Sequence, residues 1–256
     1  MNSIPYPTKH SVSLVRAFAT SLVCLLTITL PIFAEQESAK EQQVSGYQTR
    51  TIEGWTVHLS DGLMSTQKDL TESALKLLEQ QLHEIIRVVP AKAVVKLREV
   101  PLWFSPEYPE VRPRAEYHPG SEWLRQNKRN PQMAKGVEFT NVRHFAAEMK
   151  RMPNFALHEL AHGFHDRVLG NNQAEVIAAY ERAKASGTYD NVERGFGDGR
   201  PTTHEKAYAM TNHMEYFAES SESFFARNDF FPFNRAELHQ HDPQMEQLLE
   251  RLWKAE

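Results

Sequence analysis

Apolar and polar positions change their period about halfway along the chain. Thr51 to Leu59 (TIEGWTVHL) alternates well enough to predict a strand, closed by a Ser60-Asp61-Gly62 turn. From Thr71 to Val88 the apolar positions Leu75, Leu77, Leu78, Leu82, Ile85 and Ile86 fall at helical spacing. Thr71 or Ser73 stands near the N-cap of that helix, and Pro90 ends it. Val94 to Phe104 (VVKLREVPLWF) reads as a second strand with Pro101 at a bulge or edge. Four prolines make 105–119 an irregular loop with a short strand at Glu116-Tyr117-His118, and Gly136 to Thr140 (GVEFT) reads as another strand. Beyond Phe145 the period turns helical. Helices are expected near 155–169, 172–186, 210–226 and 243–254, with a Gly-rich stretch from Gly195 to Gly199 between the second and third. Strands first and helices after predict a single α+β domain over 46–256.

The first 34 residues carry a different pattern. Lys9, His10 and Arg16 precede an uncharged stretch from Ala17 to Ala34, and Glu35-Gln36-Glu37 follows. A basic start, an apolar middle and a small residue before polar sequence describe a secretory signal peptide over 1–34. The polar segment 35–45 reads as a linker. A secreted or periplasmic protein is expected, with no stable membrane insertion once the peptide is removed; the alternative is an uncleaved anchor over 17–34. Removal takes Lys9 and Arg16, changing the net charge of −4 to about −6. The single cysteine, Cys24, leaves with the peptide, so neither a disulfide framework nor a cysteine-ligated cluster is available. An acidic chain lacks the basic footprint of a nucleic-acid binder.

Twelve histidines make metal chemistry the next question. Residues 158–162 are His-Glu-Leu-Ala-His. On a helix, i and i+4 share a face, so His158 and His162 aim two imidazoles at one point with Glu159 alongside. Apolar neighbours from Phe155 to Val168 imply a buried helix, where such polar groups need a partner. A second segment, 208–222, carries Glu215, Glu219 and Glu222 at i, i+4 and i+7. A carboxylate stripe at this spacing is ordinarily a solvated face. Here Met214, Tyr216, Phe217, Phe224 and Phe225 occupy the other faces, which implies burial. Two histidines, a glutamate and water form a zinc set with one open position. Glu215 then serves as third ligand and Glu219 as the group that orients a zinc-bound imidazole; spacing alone leaves the two roles interchangeable.

The pair His158-Glu159-Leu-Ala-His162 and Glu215-Tyr-Phe-Ala-Glu219 resembles the gluzincin class of zinc metallopeptidases, and within it the catalytic domain of anthrax lethal factor and its bacterial relatives. The resemblance covers roughly residues 155–226. It implies a zincin-like fold, zinc as cofactor, Glu215 as the ligand, and Tyr208, followed by Ala-Met-Thr211-Asn212, as a residue facing substrate. The sequence shows no counterpart of that toxin's large delivery domains, so neither the toxin role nor its substrates carry over.

The expected activity is zinc-dependent hydrolysis of a peptide or protein substrate. Glu159 acts as general base and Tyr208 shares the oxyanion charge. A strand such as 136–140 is expected to pair with an extended peptide. The alternatives are an inactive zinc-containing binding module and a hydrolase of cell-wall peptide cross-links. Elsewhere, His165 and Asp166 read as a helix-end surface pair, and His239 and His241 as a surface loop before the last helix. His204 and His213 read as exposed. Residues 229–233 read as core packing, and Trp103 and Trp123 as core or cleft wall.

Overall fold

The computed structural model describes residues 44–254. The expected signal peptide and all but the last two positions of the expected linker lie outside the described residues. Among the described residues no helix is long and apolar enough to cross a membrane.

The first half is a five-stranded mixed sheet with its helices. Strand β1 (Tyr47–Ile52) turns into β2 (Trp55–Ser60), followed by helices α1 (Asp61–Thr66), α2 (Lys68–Val88) and α3 (Ala91–Arg98). Then come β3 (Leu102–Phe104), β4 (Ala115–Tyr117), α4 (Ser121–Gln126) and β5 (Val137–Phe139). The spatial order is β1-β2-β3-β5-β4. Strands β2, β3 and β5 are parallel, while β1 and β4 run antiparallel at the two edges. The second half holds α5 (Phe145–Arg151), α6 (Phe155–Phe164), α7 (Ala174–Ser186), the small hairpin β6 (Val192–Arg194) and β7 (Thr203–Glu205), α8 (His213–Phe225), α9 (Arg235–His241) and α10 (Pro243–Leu252). The α+β expectation therefore stands: a mixed sheet, then a mainly helical half.

Register decides which side chains face the helices. Val57, Leu102, Val137 and Tyr117 lie in one row across the sheet, and Leu59, Phe104, Phe139 and Ala115 in another. These rows pack with α2, α6 and α8 in the main core. The alternate row of His58, Trp103, Glu138 and Glu116 points to the opposite face, as the period of two requires. There Trp103 packs with Leu124 and Met133 in a second, smaller cluster.

Several readings differ from the sequence expectation. The turn expected at Ser60-Asp61-Gly62 is the start of α1, and α2 begins at Lys68 with Gln67 at its N-cap, so Thr71 and Ser73 lie inside the helix. The strand expected at 51–59 is a hairpin, because Glu53 (φ 50°) and Gly54 (φ 88°) both take the positive-φ values of a tight two-residue turn. The strand expected at 94–104 is α3 followed by β3. Ala93, Val94 and Leu97 bury one helical face, and that burial outweighs the β preference of the two valines. The strand at 136–140 exists as β5 but lies between β3 and β4, with both edges already bonded. It cannot pair with a peptide; the sheet edges belong to β1 and β4, and β4 is the one beside Glu159.

Helix α6 is held at both ends. Asn154 caps it by accepting from Leu157 N at 3.0 Å. The same Asn154 donates to Gln81 O at 3.0 Å, while Gln81 Oε1 accepts from Ala156 N at 2.9 Å. Buried Gln81 of α2 thereby fixes the start of the helix. Gly163 near its end faces the sheet, where an added Cβ would meet Val100 at 3.0 Å and the Tyr117 ring at 3.4 Å. The missing side chain lets α6 approach β4 closely. Past Phe164 the helix widens into a π-type turn over His165–Leu169.

Candidate metal centre

Helices α6 and α8 cross so that their polar faces meet inside the core. His158 Nε2 and His162 Nε2 lie 3.2 Å apart, and Glu215 Oε2 is 3.2 Å from each. Imidazole protons shared with Glu215 Oε2 can bridge this triangle, and its equal spacing also fits a single cation. A tetrahedral ion about 2.0 Å from each ligand sees its ligands about 3.3 Å apart. The structure thus brings together a His-His-Glu group that can hold a metal ion. Asn212 positions the third member by capping α8, its side chain accepting from Met214 N and Glu215 N, both at 2.9 Å.

The electrostatics match a cation site. Burial opposes charge on Glu215, yet its contacts with His158 and His162 hold its carboxyl well below the usual range. Burial likewise opposes charge on His158, but Glu215 and Glu222 hold its imidazole well above the ordinary value. The carboxylates thus favour positive charge at this point, carried either by a protonated imidazole or by a divalent ion that displaces the proton.

A second group, His158 with Glu219 and Glu222, surrounds the other ring nitrogen. Its geometry is that of a hydrogen bond. His158 Nδ1 lies 2.6 Å from Glu222 Oε1, a length for N–H···O⁻ and short for two ligands of one ion. Glu219 is 3.6 Å from the same nitrogen and instead accepts from Asn228 Nδ2 at 3.0 Å. The orienting contact expected of Glu219 is therefore made by Glu222. Burial raises both carboxyls, and Glu222 raises Glu219 further.

Glu159 stands at the cleft edge of the same helix. Its Oε2 accepts from the backbone N–H of Tyr117 in β4 at 2.8 Å. Tyr208 occupies a 3₁₀ turn just before α8, and its hydroxyl donates to Glu215 Oε1 at 3.4 Å. It is 48% exposed, so it is not a core tyrosine. Burial and the Glu215 charge raise its pKa, which keeps the hydroxyl protonated. His158, Glu159, His162, Tyr208, Glu215 and Glu219 all line one open cleft of about 710 Å³.

Other residues fall differently from expectation. Asp166 is not a surface group: it accepts from Tyr117 Oη at 2.7 Å, Lys135 Nζ at 2.6 Å and Asn171 Nδ2 at 3.0 Å. His165 is fully buried, with no hydrogen bond to either ring nitrogen among the described residues. Burial, then His213 and His162, lower its pKa to about 4. His213 has a partner too, its Nε2–H donating to Asn171 O at 2.7 Å. His239 and His241 lie on α9, where His241 packs against Tyr189 and Phe231. His204 is exposed on β7. Phe230 both packs in the core and lines the cleft. Trp103 is buried on the far face of the sheet, and exposed Trp123 stacks on His118.

Comparison of the chain with protein-family models, with curated proteins and with solved structures gives no match.

Proposed function

We propose that this chain is an exported zinc-dependent peptidase of gluzincin type. The reading is carried by one observation: three ligand atoms, from two histidines and a glutamate, at 3.2 Å from one another on the wall of an open cleft. The resemblance of residues 155–226 to the lethal-factor catalytic domain supports it, as does the signal-like pattern over 1–34. Zinc, held by His158, His162 and Glu215, would supply Lewis acidity and a water of near-neutral pKa.

The side chains divide the remaining work. Glu222 accepts the Nδ1 proton of His158 and so fixes Nε2 as the ligand atom. Glu159 keeps Oε1 available while Oε2 holds the Tyr117 N–H; it takes the proton from the attacking water and passes it to the leaving amine. Tyr208, protonated and exposed to the cleft, donates to the carbonyl oxygen as negative charge develops there. The substrate backbone pairs with the free edge of β4. Arg114 and His118 bond to Thr140 and Gly136 at the two ends of β5, so alternation turns the backbone groups of Ala115 and the Tyr117 carbonyl outward, while the Tyr117 N–H stays with Glu159.

Elemental analysis of the chain from residue 35 onward, with a peptide-library cleavage assay, tests the proposal. About one zinc per chain and cleavage that disappears in Glu159→Gln are expected, with zinc content unchanged in that variant. Equal activity of Glu159→Gln and wild type would remove the peptidase reading and leave a zinc-containing binding module.

A further inference from the structure

Five arginines, Arg112, Arg114, Arg151, Arg194 and Arg200, line the cleft away from the metal site, together with three carboxylates, Glu116, Glu148 and Asp229. Two of these arginines also meet carboxylates behind the wall, Arg194 with Glu205 at 3.5 Å and Arg200 with Asp198 at 2.7 Å. The wall carboxylates are also shared. Asp229 Oδ2 accepts from Arg151 at 2.6 Å and from Arg194 at 3.2 Å. Glu116 is divided between Arg114 and Arg129, each at 2.8 Å. Arg112 has no hydrogen bond or ion pair among the described residues. Each guanidinium has five N–H donors, so the walls hold donors that the protein leaves unused.

Part of this array is fixed in place. Arg194 lies 4.5 Å from the Phe230 ring centre, and Phe196 lies under both Arg194 (5.4 Å) and Arg200 (4.3 Å). The loop bearing Phe196 is anchored where Gly195 N donates to Asp229 O at 2.8 Å. It then closes on the end of α5 at Gly197 (φ +65°), where a Cβ would sit 1.7 Å from Lys150 O. Stacked guanidiniums with spare donors recognise carboxylates with little loss of side-chain freedom.

The distance to the reacting centre follows from β4. Tyr117 N holds Glu159, and Arg112 lies five residues earlier. Of these residues Ala115–Tyr117 are strand, and five residues span at most about 17 Å. We propose that the cleft selects peptides with acidic side chains within about five residues of the scissile bond. This substrate class rests on the peptidase reading given above.

Three fluorescent peptides with one shared core, flanked by Glu, Gln or Lys, test it on the zinc-loaded protein. The Glu peptide is expected to show about tenfold higher kcat/KM than the Lys peptide at low salt, with the gap narrowing as salt screens the rim. In Arg112→Glu/Arg200→Glu, two exposed positions, the preference should reverse. Equal kcat/KM for all three peptides, or a Lys preference in wild type, overturns the proposal and leaves the peptidase reading intact. Absence of any cleavage counts against the peptidase reading instead. Anisotropy binding of the same peptides then decides charge selection separately: tighter binding of the Glu peptide supports it, and equal binding overturns it.

Discussion

Glu222 Oε1 lies 2.6 Å from Nδ1 of His158, while Glu219, one turn after Glu215, is 3.6 Å from that nitrogen. Glu222 is the residue placed to set the tautomer of the imidazole. It is two turns, rather than one, beyond Glu215 on the same helix.

Neutralising that carboxylate should loosen the metal more than any other change outside the three proposed ligands. Glu222→Gln is expected to weaken zinc binding about 10–100-fold. Glu219→Gln, which keeps a partner for Asn228, should lose less. Chelator-competition titrations of both variants check the order, and tighter binding in Glu222→Gln than in Glu219→Gln would reverse the assignment.

The difference between the two glutamates shows where sequence runs out. Spacing places Glu215, Glu219 and Glu222 on one face, and that face does meet α6. Which of them meets Nδ1 depends on where the helices cross, and the chain holds no local signal for that. The His158/His162 pair was legible because i and i+4 are neighbours on any helix. Gln81 was not legible, since its partners Asn154 and Ala156 are more than 70 residues away. The 91–98 helix and the Glu53-Gly54 turn were missed for the opposite reason: local preference pointed to strand, and burial together with backbone geometry chose otherwise. The alternation in 51–59 and 136–140 did give the strands, but not that β5 is interior and β4 is the edge.

Tyr117 is a joint between sheet and helix, and its loss should be measurable as stability. Its N–H holds Glu159 and its hydroxyl donates to buried Asp166. Tyr117→Phe keeps the first contact and removes the second, leaving Asp166 with Lys135 and Asn171. Losing one donor to a buried carboxylate is expected to cost about 1–3 kcal/mol. Urea unfolding should report that loss while zinc content stays at wild-type level.

His165 should make the protein acid-sensitive. Its folded pKa of about 4 lies below the ordinary 6.5. Between those values the unfolded chain binds a proton that the folded chain refuses, so stability rises with pH through that window. The contribution is fully present above about 6.5 and falls by roughly 3 kcal/mol as pH approaches 4. Neither ring nitrogen has a hydrogen bond to lose. His165→Leu is therefore expected to flatten the fall in melting temperature between pH 6.5 and pH 4.5, with little change at pH 8. A variant with the same pH profile as wild type would mean that other groups carry the acid sensitivity.

Tyr208 separates the catalytic reading from a structural one. Its hydroxyl is 3.4 Å from the far oxygen of Glu215, too long to hold that ligand firmly, and the side chain is half exposed to the cleft. Removing the hydroxyl should therefore leave fold and metal intact. An oxyanion donor acts mainly when charge has moved onto the carbonyl oxygen, so Tyr208→Phe is expected to lower kcat by about 10²-fold with little change in KM. The melting temperature and zinc content should match wild type. Had the tyrosine been a packing residue, the pattern would be inverted, with stability lost and turnover per folded molecule kept. Kinetics, a thermal melt and metal analysis on one preparation distinguish these cases. Wild-type turnover in Tyr208→Phe would leave the metal as the remaining stabiliser of the oxyanion and take Tyr208 out of the reaction.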